Sequence, residues 1–145
     1  MKESGFKFEE HTADVKARCW GKDLEDAFAQ TAYALMATIT PNLTKISKTK
    51  SKIIKIKSED KEAVLFDFLS ELLFLFDVER LVFNDIKIES IIEINNQYEL
   101  QAVLKGEEFN KEKHEIGTEV KAITYSYMKI EDKKDYTEIQ IIFDI

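Results

Sequence analysis

Val64-Leu65-Phe66-Asp67-Phe68-Leu69-Ser70-Glu71-Leu72-Leu73-Phe74-Leu75-Phe76 is the strongly apolar run on which the fold turns. Val64, Leu65, Phe68, Leu69, Leu72, Leu73 and Phe76 recur at three- and four-residue steps, the period of a helix face. Ser58 or Asp60 can supply the N-cap. Each large side chain buried is worth roughly 1.5–3 kcal/mol, so this helix is expected at the centre of the core. Its Phe66, Phe68, Phe74 and Phe76 then serve packing, not base stacking, with a partly exposed Phe left to meet a partner.

Working outward, Lys50 to Ser58 reads as a strand with Ile54 and Ile56 inward and Lys55 and Lys57 outward. Lys45, Lys48, Lys50, Lys52, Lys55 and Lys57 form a basic run. They suit either contact with RNA or an acidic partner, or an edge strand whose lysines block strand-to-strand aggregation. An earlier helix begins at Asp23, carries Glu25 and Asp26 in its first turn, and buries the stripe Leu24, Ala27, Phe28, Thr31, Leu35 and Ile39 before Pro41 ends it. Ahead of it, Phe6 and Phe8, then Val15, Ala17 and Cys19, mark two short strands.

After the apolar helix the chain is β-dominated. Val82 to Ile94 and Tyr98 to Lys105 flank Asn95-Asn96, residues that tolerate the positive φ of a hairpin turn. Gly106 to Gly117 reads as a polar connection with His114 in solvent. Val120 to Ile130 and Tyr136 to Ile145 form a last pair around Glu131–Asp135. Helices early and strands late give an α+β fold: one domain over residues 1–145, an antiparallel-rich β-sheet packed with two main α-helices.

Composition limits the function. With 145 residues, 44% hydrophobic and 34% charged, the chain can bury a real core. A net charge of −7 argues against a large nucleic-acid surface, and DNA is not expected as a partner. Cys19 is a single cysteine and is read as a buried strand residue, so no internal disulfide forms and a reducing compartment is expected. No apolar run reaches the ~20 residues of a membrane span and no signal-peptide core is present, so the reading is cytoplasmic and membrane-free. Walker A, G-x-G-x-x-G and G-x-S-x-G patterns are missing, and Cys19, His11 and His114 do not make a zinc spacing.

The chemistry concentrates at the two ends. His11-Thr12-Ala13-Asp14 precedes one strand, and Phe143-Asp144-Ile145 finishes another. If these strands pair, the Asp14 and Asp144 side chains meet the main-chain carboxylate of Ile145. Two unit charges ~4 Å apart repel by about 4 kcal/mol at an effective dielectric near 20. Such a group scatters into solvent, takes up protons, or binds a hard cation through oxygen. Oxygen donors select Ca²⁺, Mg²⁺ or Mn²⁺ over Zn²⁺. In the plainer reading, Asp14 caps a turn and Asp144 is simply solvated. His11 can join the site, act as acid or base, or hold the loop by a ring hydrogen bond.

As an ordered set, the fragments resemble the archease family, small accessory proteins of RtcB-type tRNA-splicing RNA ligases. The matching pieces are His11-Thr12-Ala13-Asp14, Gly21 with Leu24-Glu25-Asp26-Ala27-Phe28, Ser70-Glu71-Leu72-Leu73-Phe74-Leu75-Phe76-Asp77, Lys105-Gly106-Glu107, Glu119-Val120-Lys121-Ala122-Ile123-Thr124-Tyr125 and Phe143-Asp144-Ile145. The resemblance implies a ligase activator and not an enzyme in its own right, promoting guanylylation and multiple turnover, and touching tRNA and GTP only through the ligase. It implies a metal site at Asp14, Asp144 and the Ile145 carboxylate, with Ca²⁺ first and Mg²⁺ or Mn²⁺ as alternatives, and places His11 and Lys121 beside the metal or the partner. The alternative is a chaperone-like or specificity-modulating partner of another tRNA-modifying enzyme, such as a methyltransferase. Two positions depart from the family pattern: Asn110 replaces the usual Asp and Ser126 the usual His.

Overall fold

Two antiparallel sheets share one apolar core through the helices between them. The computed structural model describes residues 3–11 and 13–145. Its elements are β1 (Gly5–Glu9), β2 (Asp14–Gly21), α1 (Leu24–Ile39), a 3-10 turn at Leu43–Lys45, β3 (Lys50–Ser58), α2 (Lys61–Glu79), β4 (Leu81–Ile94), β5 (Gln97–Glu108), β6 (Ala122–Asp132) and β7 (Thr137–Asp144). One sheet runs β1-β2-β7-β6 and the other β3-β5-β4. The expected α+β architecture stands, with its strands divided between two sheets. No helix of the described residues is long and apolar enough to cross a membrane.

Both helices start where their acidic caps dictate: Asp23 accepts from the Asp26 N–H, and Asp60 from the Ala63 N–H. Arg80 ends α2 at φ 57°, donating its N–H to Leu75 and Phe76 oxygens, while its guanidinium lies 4.2 Å from the Phe76 ring. Each helix touches strands of both sheets. For that reason α1 buries more than the expected stripe: Ala29, Ala32, Ala34 and Met36 join Ala27, Phe28, Leu35 and Ile39. On α2 the core takes Phe68, while Phe66 and Phe76 are half-buried and Phe74 is 53% exposed. The helix is apolar nearly all round but keeps one strip, with Asp67, Phe74, Asp77 and Val78, in solvent, so Phe74 leaves the core assignment made for it.

β3 is an edge strand, and its lysines pair with acids of neighbouring elements, Lys52 with Glu79 at 3.2 Å and Lys50 with Glu108 at 3.9 Å. That is the arrangement of a protected sheet edge. The β4–β5 hairpin turns on Asn95 (φ 51°) and Asn96 (φ 62°) as their side chains permit. β5 runs on to Glu108, so the polar connection starts later than Gly106. Gly106 is required there: a Cβ would fall 1.8 Å from the Val82 oxygen.

His114 is the clearest correction. It is 2% exposed, not solvated. Its Nδ1 accepts the Asn110 N–H at 2.9 Å, which leaves Nε2 as the N–H donor to Glu107 at 2.8 Å. The same Glu107 oxygen accepts from Lys113 Nζ and the Ser47 N–H, both at 2.7 Å. Asn110 Oδ1 accepts the Glu112 N–H at 2.9 Å, a bond an aspartate could also make, so the departure at this position leaves the turn intact. From this anchor the segment runs along the end of α1, where Gly117 and Thr118 donate to the oxygens of Ile39 and Thr38 at 2.9 and 2.8 Å.

β6 departs from simple alternation. Its register with β7 jumps from Thr124↔Ile142 to Lys129↔Gln140, so residues 125–128 bulge opposite Ile141. Tyr127 sits in the bulge at φ 57°, its carbonyl held by Gln140 Nε2 at 2.7 Å. Ser126 therefore does not share a continuous strand face with Val120, Ala122, Thr124 and Met128. Val120 precedes the strand, and Ser126 is exposed with its N–H on Thr124 Oγ1.

Candidate metal centre

β2 begins at Asp14 and β7 ends at Asp144, and their antiparallel register makes these two residues direct partners. Side chains of directly opposed residues emerge on one face with Cβ atoms about 4.5–5.5 Å apart. The core restricts this register: Ala17, Cys19, Ile139, Ile141 and Phe143 are all fully buried, and a one-residue slip would turn them outward. The apolar alternation of the two strands thus fixes which of their faces meets the core.

Among the described residues, no lysine or arginine lies within ion-pair distance of either carboxylate. Asp14 faces His11 instead, Nδ1 to Oδ2 at 3.7 Å, too long for a hydrogen bond. His11 Nδ1 is enclosed without a hydrogen-bond partner, and the ring packs edge-on to Tyr127 with centroids 5.6 Å apart. Ala13, just before Asp14, takes φ 67°, a left-handed conformation uncommon for a residue with a Cβ. Thr12 of the His11–Asp14 fragment lies outside the described residues.

Lys121 donates its backbone N–H to the main-chain carbonyl of Asp144 at 2.7 Å, which brings it beside the strand end, with its side chain exposed. Ile145 packs its side chain against the core directly after Asp144. A groove of about 840 Å³ opens next to Asp14, lined by Phe8, Glu9, Glu10, His11, Val15 and Pro41 together with Gly117 and Thr118. Cys19 is buried, and burial pushes its thiol well above the ordinary range, which removes it as a soft ligand.

The donor set at the strand ends fits a hard cation: two opposed carboxylates, oxygen only, with no described lysine or arginine to neutralise them. No group of three or more His, Cys, Asp or Glu side chains among the described residues could hold a metal. Asp14 and Asp144 alone are thus an incomplete shell, and His11 does not complete it. Sequence reasoning missed Tyr127, because nothing in alternating strand residues signals a bulge that turns a tyrosine onto His11. It also missed Gly117 and Thr118, which sit in a segment that reads only as polar loop.

The pattern of the Archease protein family (MTH1598/TM1083) matches residues 6–145. Protein archease of Pyrococcus furiosus is 47% identical over 126 residues, 87% of each chain. Protein archease of Methanosarcina acetivorans is 37% identical over 147 residues, 100% of each chain. The solution structure of protein 1598 of Methanobacterium thermoautotrophicum superposes with a TM-score of 0.85 at 34% identity, covering 97% of this chain and 99% of that one. With a matched pattern spanning nearly its whole length and relatives of this similarity, the chain belongs to the archease family.

Proposed function

We propose that this protein is a metal-bearing accessory factor of an RtcB-type tRNA-splicing RNA ligase, acting in the cytoplasm to promote guanylylation and repeated turnover of its partner. The observation that carries the reading is the Asp14↔Asp144 register pair, two aspartates set directly opposite each other at the strand ends. In this reading Asp14, Asp144 and the main-chain carboxylate of Ile145 hold a divalent ion, Ca²⁺ first and Mg²⁺ or Mn²⁺ as alternatives. The third donor supplies what the two side chains lack. The bound ion would contribute positive charge able to hold phosphate oxygens where the partner docks. His11 stands beside Asp14 without a hydrogen bond to it, and Lys121, anchored through its backbone to Asp144, offers an exposed ammonium to the partner or its nucleotide.

Contact with tRNA and GTP then runs through the ligase, in keeping with the net charge of −7. The test is ligation of a cleaved tRNA by the cognate ligase, with substrate in excess. The expected result is product beyond one equivalent of ligase, and faster guanylylation, only when this protein is added, with both gains lost in Asp144→Asn. Unchanged turnover and guanylylation at every metal concentration would remove the reading.

A further inference from the structure

Away from the opposed carboxylates, α2 and β6 build a second exposed feature. The rings of Phe66 and Tyr125 are stacked, with centroids 4.3 Å apart and planes within 3°. Phe66 is half-buried, whereas Tyr125 is 53% exposed. With one face against Phe66, the other face of Tyr125 is open. Tyr125 is also the first residue of the β6 bulge, whose Tyr127 is held in a strained left-handed conformation. Strain of this kind persists where the surrounding structure enforces it, and it gathers at functional surfaces.

The charge around the stack is mainly negative. Asp67 follows Phe66 on α2, and Glu59, Asp60 and Glu62 surround the start of the same helix. Burial first, then these four carboxylates, raise the Tyr125 hydroxyl above its ordinary value. Lys61, the cation on this turn, is directed to Asp132 at 3.9 Å and toward the Tyr98 ring. A phosphate backbone is repelled by such a surface. A planar cation suits it, because guanidinium stacks on an aromatic face while its N–H fork reaches carboxylates, and a lysine ammonium has no plane to stack.

We propose that the Phe66–Tyr125 stack is a docking site for an arginine side chain carried on a basic segment of a protein partner, with the guanidinium flat on the open face of Tyr125 and its N–H groups turned to Asp67 and the carboxylates at the start of α2. The site is separate from the metal-binding reading and stands without it. Its test uses the full chain, isotopically labelled and freed of divalent ions by a chelator, with the Phe66 and Tyr125 ring protons followed by NMR. The probes are two short basic peptides that differ only in arginine against lysine, and a short oligouridylate. Saturable ring shifts are expected with the arginine peptide, about fivefold weaker binding with the lysine peptide, and no ring shifts with the oligonucleotide. Tyr125→Ala should abolish binding, Tyr125→Phe should retain it, and Asp67→Asn should weaken it severalfold. Equal affinity for the two peptides, ring shifts from oligouridylate, or binding unaffected by Tyr125→Ala would overturn the proposal.

Discussion

Two polar clusters, one around Glu107 and His114 and one where β2 starts and β7 ends, present opposite solutions to gathering charge. In the first, Glu107 takes three donors on one oxygen, and His114 has a partner at each ring nitrogen. Burial alone would raise the Glu107 carboxyl, yet the Lys113 ammonium, the Ser47 N–H and the His114 ring hold it at about 2. In the second, Asp14 and Asp144 oppose each other, His11 Nδ1 lacks a partner, and Ala13 is strained. A polar cluster whose bonds close on themselves holds the fold. One left open at a strand end does not hold the fold in this way, and it is where the proposed cation would bind.

Removing Glu107 gives the largest expected effect on this contrast. Glu107→Ala strands a fully buried histidine N–H and a backbone donor, and should lower stability by about 3 kcal/mol in urea unfolding. A change within experimental error would mean that the cluster is not what anchors the loop. The same carboxyl sets an acid limb. Its folded value is depressed, so its contribution is complete above the ordinary value of 4.5 and lost as pH falls toward about 2. Thermal scans across that window should show the limb in the parent chain and a reduced one in Glu107→Ala.

Gly117→Ala comes next. A Cβ there would sit 2.3 Å from the Thr38 oxygen, so the segment must lift from α1, at a loss of about 2 kcal/mol in chemical denaturation. At the open cluster the sign reverses. Tyr127→Gly removes the left-handed strain and should raise the unfolding free energy by about 1 kcal/mol, although it gives up the ring contact with His11. Smallest is Asp144→Asn without metal. Relief of repulsion between partly exposed carboxylates should stabilise by under about 1 kcal/mol, read from the melting temperature in chelator. A clear destabilisation would place Asp144 with the closed cluster.

Much of this fold is legible residue by residue. Asp23 and Asp60 cap helices because short acceptors reach the free N–H groups of a first turn, and Asn95-Asn96 turns a hairpin because both tolerate positive φ. The alternation of Ile139, Ile141 and Phe143 shows which face of β7 is buried, while the pairing of Asp144 with Asp14 is seen only in the sheet register. What escapes is tertiary. His114 lies in a run of charged residues, and only the arrival of Glu107, Lys113 and the Ser47 N–H makes its burial tolerable. The β6 bulge has no glycine or asparagine to announce it, since the strain at Tyr127 is held by Gln140 from another strand. Phe74 looks like core by composition and is exposed because it falls on the strip of α2 that its neighbours leave uncovered.

Titration calorimetry of Ca²⁺ into chelator-treated protein addresses the open cluster most directly. The account predicts one saturable site per chain in the parent protein, loss of that site in Asp14→Asn and in Asp144→Asn with circular dichroism unchanged, and its loss again when extra residues extend the chain beyond Ile145. A parent chain that takes up no Ca²⁺, Mg²⁺ or Mn²⁺, or binding that persists undiminished in Asp144→Asn, would contradict it.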